Sequence, residues 1–188
     1  MWWQLILARI REINEKVSPE QTARFVQAVK AAPRIYVTGA GRSGLMAKAF
    51  AMRLVHLNLK VFVVGDTVTP ALRPGDVLLA VSGTGETASV VNEARVTKEL
   101  GGRVLAVTAN AESALAKLAD VLVVVPAKPR RRPVDDYEER RLKGPEAATP
   151  LGSLFELSAL IFFEGCVVEL MRQLGIAEED MARLHANI

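Results

Sequence analysis

Apolar residues recur along this chain in two rhythms, and the change from one to the other predicts its layout. At the start, Ile6, Ile10, Ile13 and Val17 follow one another at spacings of four, three and four, a stripe on one helix face that needs a partner. That partner is either the chain's own sheet or another subunit. Ser18-Pro19 places a capping hydroxyl before a proline at a first helical position and predicts a second helix. From residue 33 the rhythm changes to continuous β-rich runs without polar alternation, over 35–38, 61–64, 77–81, 104–108 and 121–125. Strands of that kind are covered on both faces. Between them, 43–58, 86–100 and 111–119 have the length and composition of helices, with Gly75 and Gly101-Gly102 marking turns. The alternation predicts an α/β fold, a right-handed three-layer αβα sandwich around a five-stranded parallel sheet.

After residue 126 the rhythm is lost. Pro126, Pro129, Pro133, Pro145 and Pro150 punctuate Arg130-Arg131-Arg132, Asp135-Asp136, Glu138-Glu139 and Arg140-Arg141. The stretch 127–149 is expected to be an irregular connection, either a solvated loop or a lid over the site. The chain then closes with a strongly apolar helix near 153–174 and a short one near 177–187. The expected organisation is one domain over 1–188: N-terminal helices to residue 32, an α/β core over 33–126, the connection, and C-terminal helices over 150–188.

Composition narrows the classes of function. Of the 188 residues 50% are hydrophobic and 24% charged, too apolar for disorder and ordinary for a globular chain. The net charge of +3 is mild, and with 5% aromatic residues and no long basic run interleaved with aromatics it argues against nucleic acid. No apolar stretch approaches the ~20 residues of a membrane span. The start lacks a basic region and a small-residue cleavage site, so it reads as a helix rather than a signal peptide. A single cysteine, Cys166, excludes an internal disulfide and fits a reducing cytoplasm. With two histidines besides, little is left for a transition-metal site, and none is expected.

The candidate chemistry sits at two turns, each following a strand run and opening onto a helix: Thr38-Gly39-Ala40-Gly41-Arg42-Ser43-Gly44 and Ser82-Gly83-Thr84-Gly85-Glu86-Thr87. Glycines let the backbone approach an anion, hydroxyls donate to its oxygens, and a helix start supplies free N–H groups. In a parallel sheet both turns lie beyond the carboxyl ends of strands, where ligands bind. Gly41, Arg42, Ser43, Ser82, Gly83, Thr84 and Thr87 are therefore candidates for holding a phosphate. Each hydroxyl taken singly also reads as a helix cap. Gly39-x-Gly41-x-x-Gly44, with Asp66 22 residues further on, formally matches a dinucleotide fingerprint, and an NAD(P)-binding protein is the alternative. Against it stands the second hydroxyl-rich turn, which a nicotinamide site does not require.

The two turns together resemble the sugar isomerase (SIS) domain. Ala51-Met52-Arg53-Leu54-Val55-His56-Leu57, Val64-Gly65-Asp66-Thr67-Val68-Thr69-Pro70, Thr149-Pro150-Leu151-Gly152-Ser153-Leu154-Phe155-Glu156 and His185-Ala186-Asn187 resemble its 6-phospho-3-hexuloisomerase branch. The resemblance implies a flavodoxin-like fold and the isomerisation of D-arabino-hex-3-ulose 6-phosphate to fructose 6-phosphate, a step of formaldehyde fixation, without a cofactor. It also implies a homo-oligomer, a tetramer or a dimer. Another SIS isomerase or a non-catalytic sugar-phosphate-binding module would share both turns. Sensors of this domain usually carry an effector module, for which 188 residues leave no room.

Moving a carbonyl from C3 to C2 needs a base that takes a proton from carbon and a second group that moves protons between oxygens. Glu156 is the candidate base: its helix face continues through Leu160, Phe163 and Val167, and desolvation there would raise its pKa. The same residue completes a Ser153-x-x-Glu156 capping box, which would merely hold the helix start. His56 and His185 are candidates for the oxygen step. His56, however, closes a helix that begins at the first turn, about 20 Å away at 1.5 Å per residue, so it would enter a neighbour's site or serve only the helix dipole. His185 stands near the chain end and is either part of the site or in a solvated tail. Glu86 is a first-turn dipole partner or lies near the sugar.

Overall fold

The computed structural model describes residues 1–127 and 152–185. Save for Ala127, the expected connection over 127–149 lies outside the described residues. All five predicted strands form: β1 (Ile35–Gly39), β2 (Val61–Val63), β3 (Val77–Val81), β4 (Arg103–Thr108) and β5 (Val121–Val124). They make one parallel sheet in the order β2-β1-β3-β4-β5. The helices are α1 (Trp2–Asn14), α2 (Pro19–Ala31), α3 (Gly41–His56), α4 (Ala88–Glu99), α5 (Ala114–Leu118), α6 (Ser153–Leu174) and α7 (Glu178–Arg183).

Alternate strand residues face opposite layers, as a period of two requires. Ile35, Val37, Leu79, Val81, Leu105 and Val107 pack with α2, α3 and α6, while Tyr36, Leu78, Ala80, Val104 and Ala106 pack with α4 and α5. This is the expected αβα sandwich. In the thicker layer Phe25, Phe50, Phe162 and Phe163 cluster, with the Phe50 and Phe163 rings stacked 4.5 Å apart, so α6 is fixed against α3. Cys166 lies in this core, where burial pushes its thiol up to about 12.

The apolar stripe of α1 finds its partner within the chain, on α6 rather than on the sheet. Ile10 and Ile13 are buried, whereas Trp2, Trp3 and Leu7 nearer the helix start are exposed. Val17 falls beyond the helix end but still packs on the core. Two helices are shorter than predicted. The turn at 110–113 delays α5, because Ser113 serves as its N-cap and accepts from the Ala116 N–H. The last helix ends at Arg183. Among the described residues no helix is long and apolar enough to cross a membrane.

Strands β1 and β3 are neighbours in register from Ile35 opposite Val77 to Gly39 opposite Val81. At their amino ends Arg34 donates from Nε to Oδ1 of Asp76 (3.0 Å) and from Nη2 to Oδ2 (2.5 Å), and the Arg73 N–H donates to the same carboxylate (2.6 Å). At their carboxyl ends the chain leaves β1 toward one face, into α3, and β3 toward the other, into α4. The crevice where the direction reverses is the binding position of such sheets.

Candidate functional site

The first turn is closed by glycine packing. Only Ala40 separates β1 from α3, and a Cβ on Gly44 would lie 2.3 Å from the Gly39 carbonyl oxygen. Gly39 and Gly44 thus let strand and helix touch, and Gly41, at φ +56°, turns the chain. The Gly44 N–H makes the first bond of the helix, to Ala40, so the N–H groups of Gly41, Arg42 and Ser43 precede the ladder with no intrahelical acceptor. Ser43 is half-buried on this turn. A cleft lined by Thr38, Gly39, Gly44, Lys48, Val63 and Val64 opens beside it. The Thr38 hydroxyl donates to Glu93 on α4 (2.5 Å), tying the end of β1 to the opposite layer.

The second turn is held by hydroxyls. Ser82 is buried; its Oγ accepts from the Gly85 N–H (3.1 Å) and shares a hydrogen bond with the Thr87 Oγ1 (2.9 Å). Thr87 is the N-cap residue of α4, yet its side chain makes no cap bond, so the capping role is not the one its hydroxyl takes. Thr84 is exposed and accepts from the Glu86 N–H (3.2 Å). Glu86 turns away, its carboxylate accepting from the Ala114 N–H at the start of α5 (2.9 Å).

Glu156 joins these turns from the far side of the chain. The capping box expected of Ser153 and Glu156 does not form: Gly152 is the N-cap residue, in the left-handed region at φ 72°, and makes no side-chain cap bond. Ser153 is already helical. The Glu156 carboxylate is free to point elsewhere and accepts from Nε of Arg42, an ion pair between the first turns of α3 and α6. Glu156 is buried, and its expected apolar surroundings are completed by a guanidinium rather than by another side chain of the stripe. One residue earlier, the Phe155 ring covers Gly83, where a Cβ would lie 3.0 Å from Cδ1. Three segments 38 residues and more apart, 39–44, 82–87 and 152–156, therefore converge on one crevice.

The histidines stand elsewhere in the same chain. His56 is the last residue of α3, 14 residues beyond Arg42, or about 21 Å along the helix. His185, just beyond α7, lies against it with ring centroids 5.2 Å apart. His56 is buried and His185 exposed. Burial, then the neighbouring His185 and Arg53, hold the His56 pKa below its ordinary value of 6.5. Such a shift favours the neutral imidazole. Among the described residues no three of His, Cys, Asp and Glu converge as a metal ion requires.

A family model for the SIS domain matches residues 29–135, spanning both turns and all five strands. The chain belongs to the SIS domain family. Within it, this SIS chain is 36% identical over 183 residues to a protein of Bacillus subtilis named 3-hexulose-6-phosphate isomerase, covering 97% of this chain and 96% of that one. It is 37% identical over 184 residues to the protein of that name from Mycobacterium gastri, covering 98% and 88% of the two chains. A crystal structure of a protein from Methanococcus jannaschii, from which the function of 3-hexulose-6-phosphate isomerase was inferred, superimposes with a TM-score of 0.81 at 28% identity, over 99% of this chain and 98% of that one.

Sequence reasoning named the residues of the turns and Glu156 but missed what aligns them. Gly152, whose Cβ would lie 2.9 Å from Glu156 Oε1, leaves room for the carboxylate, and Phe155 seats the start of α6 on Gly83. A glycine directly before an apolar helix was the available signal for the first. The Phe155 contact has no local signal.

Proposed function

We propose that this chain isomerises D-arabino-hex-3-ulose 6-phosphate to fructose 6-phosphate. The observation that carries the reading is the convergence of a buried carboxylate with two anion-binding turns, in a chain alike over nearly its whole length to proteins named 3-hexulose-6-phosphate isomerase. Gly41, Arg42 and Ser43, with Ser82, Gly83, Thr84 and Thr87, hold the phosphate and adjacent oxygens. Glu156 removes the proton from C2 as O3 gains one, giving a cis-enediol, and returns it to C3 as O2 loses its own. The proton on O2 passes to O3, so the ketone moves to C2 and the atoms balance. A positioned base of this kind contributes about 10²–10⁴-fold.

The oxygen step falls to His56 or His185. Because their pair lies some 21 Å along α3 from Arg42, the histidine comes from a second copy of the chain. The protein accordingly works as a homo-oligomer, a tetramer or a dimer, and the exposed Trp2, Trp3 and Leu7 of α1 supply apolar surface for such contacts. It functions as one domain in the cytoplasm and without a cofactor. The test is direct: hex-3-ulose 6-phosphate is supplied to the purified protein and fructose 6-phosphate is followed with and without chelator. Equal, rapid formation in both is expected; no formation refutes the reading.

A further inference from the structure

The guanidinium that pairs with the proposed base belongs to the turn proposed to bind the phosphate. We infer that Arg42 is shared between these two anions: the substrate's phosphate draws it off Glu156, and the base is released for proton transfer only when a phosphorylated sugar is in place. The inference rests on the sugar-phosphate reading of the two turns.

The geometry gives the exchange its direction. The Arg42 side chain is 53% exposed and that of Glu156 11%, so the guanidinium lies outside the carboxylate and is what an incoming anion meets first. Arg42 also follows Gly41 among the N–H groups that have no intrahelical acceptor, so a phosphate seated on them is within reach of its long side chain. Glu156 cannot follow the guanidinium outward. Its backbone N–H is bonded to the Gly152 carbonyl, its Oε1 rests over Gly152 where no Cβ intervenes, and Phe155 is fixed on Gly83. The carboxylate takes only Nε of Arg42, whereas a phosphate can accept from the guanidinium's fork of parallel N–H groups as well as from the turn. Selectivity for phosphorylated sugars then acts on turnover and not only on binding. A ketose without phosphate meets a carboxylate whose Oε2 is still engaged by Arg42.

A double-mutant cycle read by calorimetry with inorganic phosphate tests this without reference to catalysis. Glu156→Gln is expected to bind phosphate about tenfold more tightly than the unaltered protein, because Arg42 is no longer contested. In an Arg42→Gln background the same change should alter affinity by less than about twofold. Equal effects in both backgrounds would mean simple repulsion by the carboxylate and would overturn the inference. If Arg42→Gln does not fold, as judged by circular dichroism, Arg42→Lys, which retains charge without the fork, supplies the cycle and should give a reduced coupling. As a second readout, phosphate-free hex-3-ulose should be turned over faster when inorganic phosphate is added to the unaltered protein, and no response overturns the release. A protein that gives the expected cycle but fails to convert hex-3-ulose 6-phosphate keeps the shared arginine and loses the isomerase reading.

Discussion

Each end of helix α3 meets a buried titratable group, the Glu156 carboxylate of α6 at its start and its own His56 at its end, and the two ends treat charge in opposite ways. At its start, Glu156 meets the opposite charge of Arg42; at its end, His56 meets a second imidazole and lies near Arg53, and burial reinforces the effect of both in keeping it neutral. The macrodipole alone would favour a cation at a helix C-terminus, typically by about 0.3–1 kcal/mol, and here desolvation outweighs it. The difference separates two chemistries. At one end a carboxylate is held in an ion pair, while at the other an imidazole is kept neutral.

The most damaging way to break the first end is Glu156→Gln, expected to lower kcat by about 10²–10⁴-fold while sugar-phosphate binding survives; near-normal turnover would remove Glu156 from the chemistry. Gly44→Ala should act on the frame that carries Arg42. Overpacking costs about 1–3 kcal/mol and helix propensity returns about 1 kcal/mol. Because the obstacle 2.3 Å away is backbone carbonyl, which cannot swing aside, a net loss in the urea midpoint is expected. Ser82→Ala removes the acceptor for Gly85 N–H and the partner of Thr87, and should raise KM about tenfold with kcat within about twofold in steady-state assays. The smallest effect concerns the other end. Since the folded chain holds the His56 pKa below 6.5, the unfolded chain binds more protons as the pH falls below that value. The His56 contribution to stability is therefore present above about 6.5 and lost as pH falls through its folded value. Thermal melts should show the unaltered protein losing more Tm on acidification than His56→Gln, and parallel profiles would contradict it.

The sheet was legible in the sequence because its central strands are buried on both faces, and residues such as 77–81 leave no polar position to confuse the period. Edges moved by one to four residues, by three where Ser113 caps α5. The turns were legible for a physical reason too: Gly39, Gly41 and Gly44 are demanded by close approach and a left-handed φ. What could not be read were pairings over distance. Arg42 and Glu156 are 114 residues apart, and nothing in either segment announces the other. The Ser153-x-x-Glu156 pattern even pointed elsewhere, because it is blind to a left-handed Gly152 taking the cap position. The meeting of His56 with His185 likewise depends on where α7 ends.

The Arg34–Asp76 clamp lies at the opposite end of β1 and β3 from the glycine and hydroxyl turns, yet their spacing depends on the register it holds. Parallel strands have no hairpin to fix their alignment, so β1 and β3 must find their offset from contacts made elsewhere. A slide of one residue would shift the glycine turn past the hydroxyl turn by about 3.3 Å, more than the length of a hydrogen bond to a phosphate oxygen. The bidentate grip of Arg34 on Asp76 acts as the zero mark of a ruler five residues long, whose far tip is where Gly39 stands opposite Val81. The mouth of the crevice is thus gauged from its base.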